Sequence, residues 1–382
     1  MSAHSVSKIT ETPRLLFLSL VASCAGPMQA PPDAGPVASP CASCHPSHTA
    51  QFETSRHATA AVGPRYVALR DQSDLRTRAF CDSCHRPVVG TARGLSCESC
   101  HVAVGNTGTS NARLVWDRNG AIRGSFNAVQ TAGHRSAVHG FISSAELCGT
   151  CHEVRGPGAF HETPYTEWAA SPSATRGETC ADCHMSPTPG QSSPRARGPA
   201  ANETGIVSPE RSLADHRFVG PDHDDAPSLL RDVLTIALAR EGDELVATVQ
   251  NTLRGHYYPT GARFIREAWM EVAATRIDGS RVVLRGALDS LGRLQSGPLA
   301  PLALFHDELA AGLPAESAIV SVRAMAPLER RVFRMVVGSE SPVISQIIVR
   351  ARYRPASVTL LQSLNVDTLV PVYEVASASI PW

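Results

Sequence analysis

The sequence predicts an α+β protein, with short helices and loops over residues 41–227 followed by a β-sandwich over 228–382. Three observations predict it. One five-residue cysteine pattern occurs five times before residue 185. Between 41 and 227 large apolar residues are sparse and follow neither a helical nor a strand period. From about Leu229 onward, apolar and polar residues alternate in short runs bounded by turns. At 382 residues the chain is long enough for two domains, each with a core of its own.

Residues 1–23 read as an export signal, because Lys8 and Arg14 precede the apolar run "LLFLSLVA", Leu15 to Ala22. That run has the length of a signal h-region and falls short of the roughly 20 residues that span a bilayer. It ends in "VASC", which resembles a bacterial lipobox and marks Cys24 as the residue that would carry a lipid anchor into a membrane. Cys24 is also the odd cysteine among 11. Cleavage elsewhere, with Cys24 lost or left unmodified, is the alternative. Residues 24–40 contain "AGPMQAPPDAGPVASP", a Pro- and Ala-rich stretch with the composition of a semi-extended tether. The expected location is the periplasm or the outer membrane of a bacterium. The 35 Lys plus Arg balance 35 Asp plus Glu, so nothing in the charge calls for nucleic acid.

The remaining ten cysteines all lie in one pattern: "CASCH" at 41, "CDSCH" at 81, "CESCH" at 97, "CGTCH" at 148 and "CADCH" at 180. Chance would supply roughly 0.01 such matches in a chain of this composition. Disulfides would suit an oxidising compartment, yet they have no use for a histidine after every second cysteine. Zinc would join two pairs per site, and five pairs do not divide evenly. Covalent haem c accounts for each position, since two thiols add to the two vinyl groups of a porphyrin and the next residue lies under the ring as an iron ligand. The expectation is five haems, attached through Cys41/Cys44, Cys81/Cys84, Cys97/Cys100, Cys148/Cys151 and Cys180/Cys183, with His45, His85, His101, His152 and His184 as proximal ligands. The second and third motifs start 16 residues apart, which places their porphyrins close together. Haem would also serve as the core of a half that has few large apolar side chains.

The sixth ligand separates an electron carrier from an enzyme: a second histidine closes the iron, and a vacant site admits a small molecule. Nine histidines remain outside the motifs and the signal segment. Several segments carry a family likeness: "CASCHPSHTAQFETSRHATA", "HRSAVHGFISSAELCGTCHEV", "ETPYTEWAASPSATRGETCADCHM", "HRFVGPDHDDAP" and "NTLRGHYYPTG". They resemble the multihaem cytochromes related to octahaem hydroxylamine oxidoreductase and its tetrahaem electron acceptor, over about residues 41–225 and again around His256. That resemblance implies His57 as the foremost distal ligand, followed by His134, His139, His216 and His223. His256, in a turn beside Pro259 and Gly261, is a sixth candidate or a plain loop histidine. His48 is too near its own motif to reach the far face of that haem. His161 and His306 read as surface residues, and Phe52, Tyr165, Trp168 and Met185 as packing against haem.

In the C-terminal half "LTIALAREGDELVATVQN" has the pattern of a hairpin turning at "EGD". Further strands are expected around 264–275, 281–286, 330–337 and 345–354, with a "DG" turn at 278–279. About seven strands over this length suggest an immunoglobulin-like sandwich. In the last of them Arg350, Arg352 and Arg354 alternate with apolar residues, which reads as a solvated face. The half has no cysteine, nucleophile or phosphate loop, and scaffold or partner docking is its expected role.

The function expected is electron transfer between redox partner proteins through mostly bis-histidine haems. The alternative is an oxidoreductase acting on a small nitrogen or sulfur compound at one open haem, as relatives in the family do. All five motifs end in histidine and none in the lysine that marks the catalytic haem of pentahaem nitrite reductases, which favours the carrier.

Overall fold

The computed structural model describes residues 40–382 apart from 89–90, 119, 128–130, 132, 203–206, 311, 339–342 and 368–369. The signal segment, Cys24 and the tether up to residue 39 lie outside the described residues. No helix among the described residues is long and apolar enough to cross a membrane.

Helices in the first half are short, and the longest, Leu75–His85, has 11 residues. Isolated helices below about 12–15 residues are marginal in water, so these depend on what they pack against. Proline starts several of them, at Pro46, Pro64 and Pro164, where its missing N–H costs nothing. Polar caps start three of the motif helices. Asp74 accepts from Thr77 N at 2.7 Å ahead of Leu75–His85, and Asp182 accepts from Thr179 N at 2.8 Å at the head of Cys180–His184. Ser96 N donates to Ser99 Oγ at 3.0 Å at the start of Cys97–His101. Four short two-stranded ribbons among the described residues connect or border these helices and loops, and a fifth lies in the second half.

The protein interior of this half is thin. Among the described residues up to 225 the buried hydrophobic side chains are Val88, Val219 and four alanines. Side chains alone do not make a core there. One glycine shows how closely the elements pack locally: a Cβ at Gly149, inside the fourth motif, would lie 2.4 Å from the Tyr165 ring, so a side chain at that position would force the ring to move.

The second half is built from seven longer strands: β1 (Leu234–Glu241), β2 (Glu244–Asn251), β3 (Glu267–Arg276), β4 (Arg281–Arg285), β5 (Arg330–Val336), β6 (Ile344–Arg354) and β7 (Tyr373–Pro381). They form a three-stranded sheet, β5-β2-β1, and a four-stranded sheet, β4-β3-β6-β7, with every pairing antiparallel. The β1–β2 hairpin closes with Glu241 opposite Glu244. Both sheets bury apolar residues in one cluster, with Leu245 and Val249 from the first and Met270, Val272, Ile347 and Val349 from the second. Mixed helix and strand content makes the fold α+β. The described residues from 40 to 382 belong to one compact unit, within which the change of character near residue 228 is a change in what fills the interior.

Two expectations differ from the structure. The arginine row on β6 is not a solvated face: Arg350 and Arg352 reach Glu271 at 3.0 and 3.4 Å, and Arg354 is buried in an ion pair with Glu267. These are cross-strand pairs, since β3 places Glu271 opposite Arg350 and Glu267 opposite Arg354. His306 is not a surface residue either, because its ring is partly buried against β3, where Nδ1 lies 3.1 Å from Ala268 N.

Candidate haem-binding cavity

A cavity of about 2440 Å³ runs through the first half and up to the edge of the second. Single-ligand pockets usually hold roughly 300–1,000 Å³. All ten motif cysteines and all five motif histidines line it, as do Phe52, Tyr165, Trp168 and Met185. Thiols from different motifs lie near one another, Cys84 beside Cys151 and Cys148 beside Cys180. Burial pushes the Cys100 thiol up to about 11. Among the described residues no three His, Cys, Asp or Glu side chains converge to hold a bare metal ion.

Four of the five motif histidines face another histidine across this cavity. His45 faces His134 with ring centroids 6.3 Å apart, and His57 faces His152 at 5.9 Å. His101 faces His216 at 6.4 Å, and His184 faces His256 at 6.1 Å. Two imidazoles sharing one metal at about 2.0–2.1 Å per nitrogen put their ring centres about 6 Å apart. All four spacings match that requirement, so these residues fit an axially ligated haem.

Second contacts orient the rings. Nδ1 of His45 lies 2.7 Å from the Ala200 carbonyl, that of His85 lies 2.8 Å from Ala60, and that of His101 lies 2.6 Å from Arg123. On the opposite side His216 Nδ1 lies 2.9 Å from the Ala214 carbonyl, and His256 Nδ1 lies 3.1 Å from Tyr257. A proton on Nδ1 donated to a carbonyl leaves Nε2 as the free lone pair, the nitrogen a metal would take. Burial, followed by the neighbouring histidines, pushes His57 down to about 3 and His184 and His216 down to about 4. These imidazoles are therefore neutral, which is the ligating form.

His85 is the exception. Its ring lies flat against Tyr66, with centroids 4.0 Å apart and planes 18° from parallel. That distance leaves no room for a metal between them, so Tyr66 covers a face of the imidazole and does not stand opposite it. Tyr66 Oη donates to Asp82 at 2.5 Å, and Asp82 also accepts from Arg70 at 2.9 Å and Arg86 at 2.5 Å. No histidine stands opposite His85 among the described residues.

Of the six distal candidates the structure brings His57, His134, His216 and His256 to motif histidines. His139 instead caps a turn, its Nδ1 accepting from Phe141 N at 3.4 Å. His223 accepts from Asp225 N at 3.0 Å, with Nε2 3.5 Å from Thr54 Oγ1. His48 packs edge-on against His216 at 4.8 Å. Tyr66, with its roles beside His85 and Asp82, carried no signal in the sequence beyond being an aromatic in a short helix.

No family model matches the chain, and no curated protein does. A solved structure is similar: the penta-heme cytochrome c552 from Thermochromatium tepidum superposes with a TM-score of 0.66, over 90% of this chain and 97% of that one, at 17% sequence identity. The chain has the fold of a multihaem cytochrome c. At that identity the likeness concerns the fold.

Proposed function

We propose that the protein is an exported pentahaem cytochrome c, held to a membrane through Cys24, that passes electrons between redox partner proteins. The observation that carries this reading is the set of four histidine pairs spaced 5.9–6.4 Å across one continuous cavity. Cys41/Cys44, Cys81/Cys84, Cys97/Cys100, Cys148/Cys151 and Cys180/Cys183 would hold the haems. Haem supplies the one-electron couple, and the chain supplies axial imidazoles, orientation and burial. Closed irons suit transfer rather than catalysis. Likeness to a penta-heme cytochrome supports the cofactor and the count of five. The segments quoted above support a place among the relatives of hydroxylamine oxidoreductase. First, second and fifth long strands in one sheet, with the others in the second, support an immunoglobulin-like sandwich, for which scaffolding and partner docking are the roles proposed.

Mass spectrometry of the secreted protein tests the reading. Five adducts of roughly 616 Da each are expected on the polypeptide, and fewer would remove its basis.

A second reading is favoured by His85, which has no histidine opposite it. The haem held by Cys81 and Cys84 would then be open, and the protein would convert a small nitrogen or sulfur compound there. Cyanide, nitrite and hydroxylamine added to the oxidised protein decide between the two. A spectrum unmoved by all three removes the enzyme, and a shifted high-spin component supports it.

A further inference from the structure

The C-terminal half gives the cavity part of its wall, and that wall holds donors without acceptors. Arg266 donates through Nε to the Thr260 carbonyl at 3.0 Å and through Nη1 to the Tyr353 hydroxyl. Nη2 makes no hydrogen bond among the described residues. Asp222 and Glu162 act on the guanidinium through space without bonding it, and Asp222 is already paired with Arg65. Tyr353 is 2% exposed and uses its oxygen as an acceptor for Arg266, which leaves its own proton to donate. Tyr258 is 3% exposed and its hydroxyl has no partner. Its electrostatic neighbours are Tyr353 and Arg266, and all three residues line the cavity.

Leaving a buried donor unmade costs about 1–3 kcal/mol, and the Tyr258 hydroxyl is such a donor, with the Tyr353 proton and the remaining Arg266 amino group beside it on the cavity wall. A cluster of donors around a cation asks for an anion. Space for one is kept by Gly261, whose φ of +71° suits glycine; a methyl group there would lie 3.3 Å from Arg266 Nη2 and 3.7 Å from Glu162 Oε2. Burial raises the Glu162 carboxyl, which moves it towards the neutral acid and reduces its repulsion of an anion beside it.

We propose that Arg266 Nη2, Tyr353 Oη and Tyr258 Oη form an oxyanion site in the cavity wall. Two sources fit the chemistry: the propionate carboxylate of a bound haem, which rests on the haem reading above, and a small free oxyanion, which does not.

The test uses the holoprotein, its Arg266→Gln variant and its Tyr258→Phe variant, with haem content measured first in each. Redox titration reads the propionate: loss of the cation in Arg266→Gln lowers the midpoint potential of one haem and leaves the others in place. Calorimetric titration with sodium nitrite reads the free oxyanion: the wild type binds, and Arg266→Gln binds about tenfold more weakly or worse. Either result supports the site and names its source. If Arg266→Gln does not fold, Tyr258→Phe, which removes a single oxygen, carries both readouts with smaller shifts of the same sign. Unchanged potentials together with unchanged or absent nitrite binding in the variants overturn the proposal. Fewer than five haems in the wild type would count against the haem reading alone, since the donor cluster belongs to the polypeptide.

Discussion

His256 lies opposite His184, with ring centroids 6.1 Å apart and planes 22° from parallel. The two residues come from different halves of the chain. His256 sits in the connection between β2 and β3, so a segment beyond the last cysteine brings an imidazole to the last motif. A His256→Ala variant is expected to convert one haem to the high-spin state, visible in the absorption spectrum of the oxidised protein. His139→Ala and His223→Ala are expected to leave the spectrum alone, because those rings cap local turns. A low-spin spectrum in His256→Ala would assign the ligand to another residue.

Glu167 holds that connection in place. Its carboxylate accepts from Tyr257 N at 3.0 Å, Thr260 Oγ1 at 2.6 Å and Arg263 Nη1 at 2.7 Å, and Arg263 in turn reaches Asp307 at 3.0 Å. The side chains of Glu167, Arg263 and Asp307 are 5%, 11% and 1% exposed. Removing one member of such a buried set leaves an uncompensated charge and costs about 3–5 kcal/mol. Glu167→Ala is therefore expected to lower the urea midpoint strongly and to add high-spin character at the haem of His184. A stability loss below about 1 kcal/mol would show that the network is dispensable.

The motif residues that line the cavity were legible because two thiols and an imidazole at fixed spacing have few other uses. The hairpin of β1 and β2 and the strands β3 to β6 were legible for a similar local reason, since alternation is a property of neighbouring residues. The distal pairing was not. Which imidazole crosses to which motif depends on contacts between residues far apart in sequence: His45 and His134 are separated by 89 positions and His101 and His216 by 115, so no spacing rule reaches them. β7 was missed because "YEVASASIP" alternates mostly small residues, which gives too little contrast to mark a buried face. The arginines of β6 looked solvated because their glutamate partners lie on other strands.

Asp82 gives the second motif its own acid sensitivity. Burial by itself would raise the carboxyl, but hydrogen bonds from Arg70, Arg86 and Tyr66 outweigh it and hold the group well below the usual carboxylate range. A depressed folded value means the stabilisation is complete above the unfolded carboxylate value of about 3.9 and is lost as pH falls towards the folded one. Urea unfolding of the wild type and of Asp82→Asn is expected to show a constant gap between pH 7 and pH 5 that narrows by pH 3. An equal gap at all three would mean that the charge of Asp82 contributes nothing.

Ring orientation makes the four histidine pairs distinguishable. His45/His134, His101/His216 and His184/His256 are near parallel, at 24°, 18° and 22°, whereas His57 and His152 cross at 71°. Parallel imidazoles split the iron d orbitals that accept their π density, and crossed ones leave those orbitals nearly degenerate, so the axial geometry is read directly in the electron paramagnetic resonance of the ferric state. Three ordinary rhombic low-spin signals and one signal with a large maximal g value are expected, with the haem beside His85 contributing separately. The Phe218 ring sits edge-on to His57 at 4.6 Å and helps to hold the crossed orientation. His57→Ala should abolish the large-g signal and leave the three rhombic signals unchanged. If a rhombic signal disappears instead, His57 serves a different haem from the one on Cys148 and Cys151.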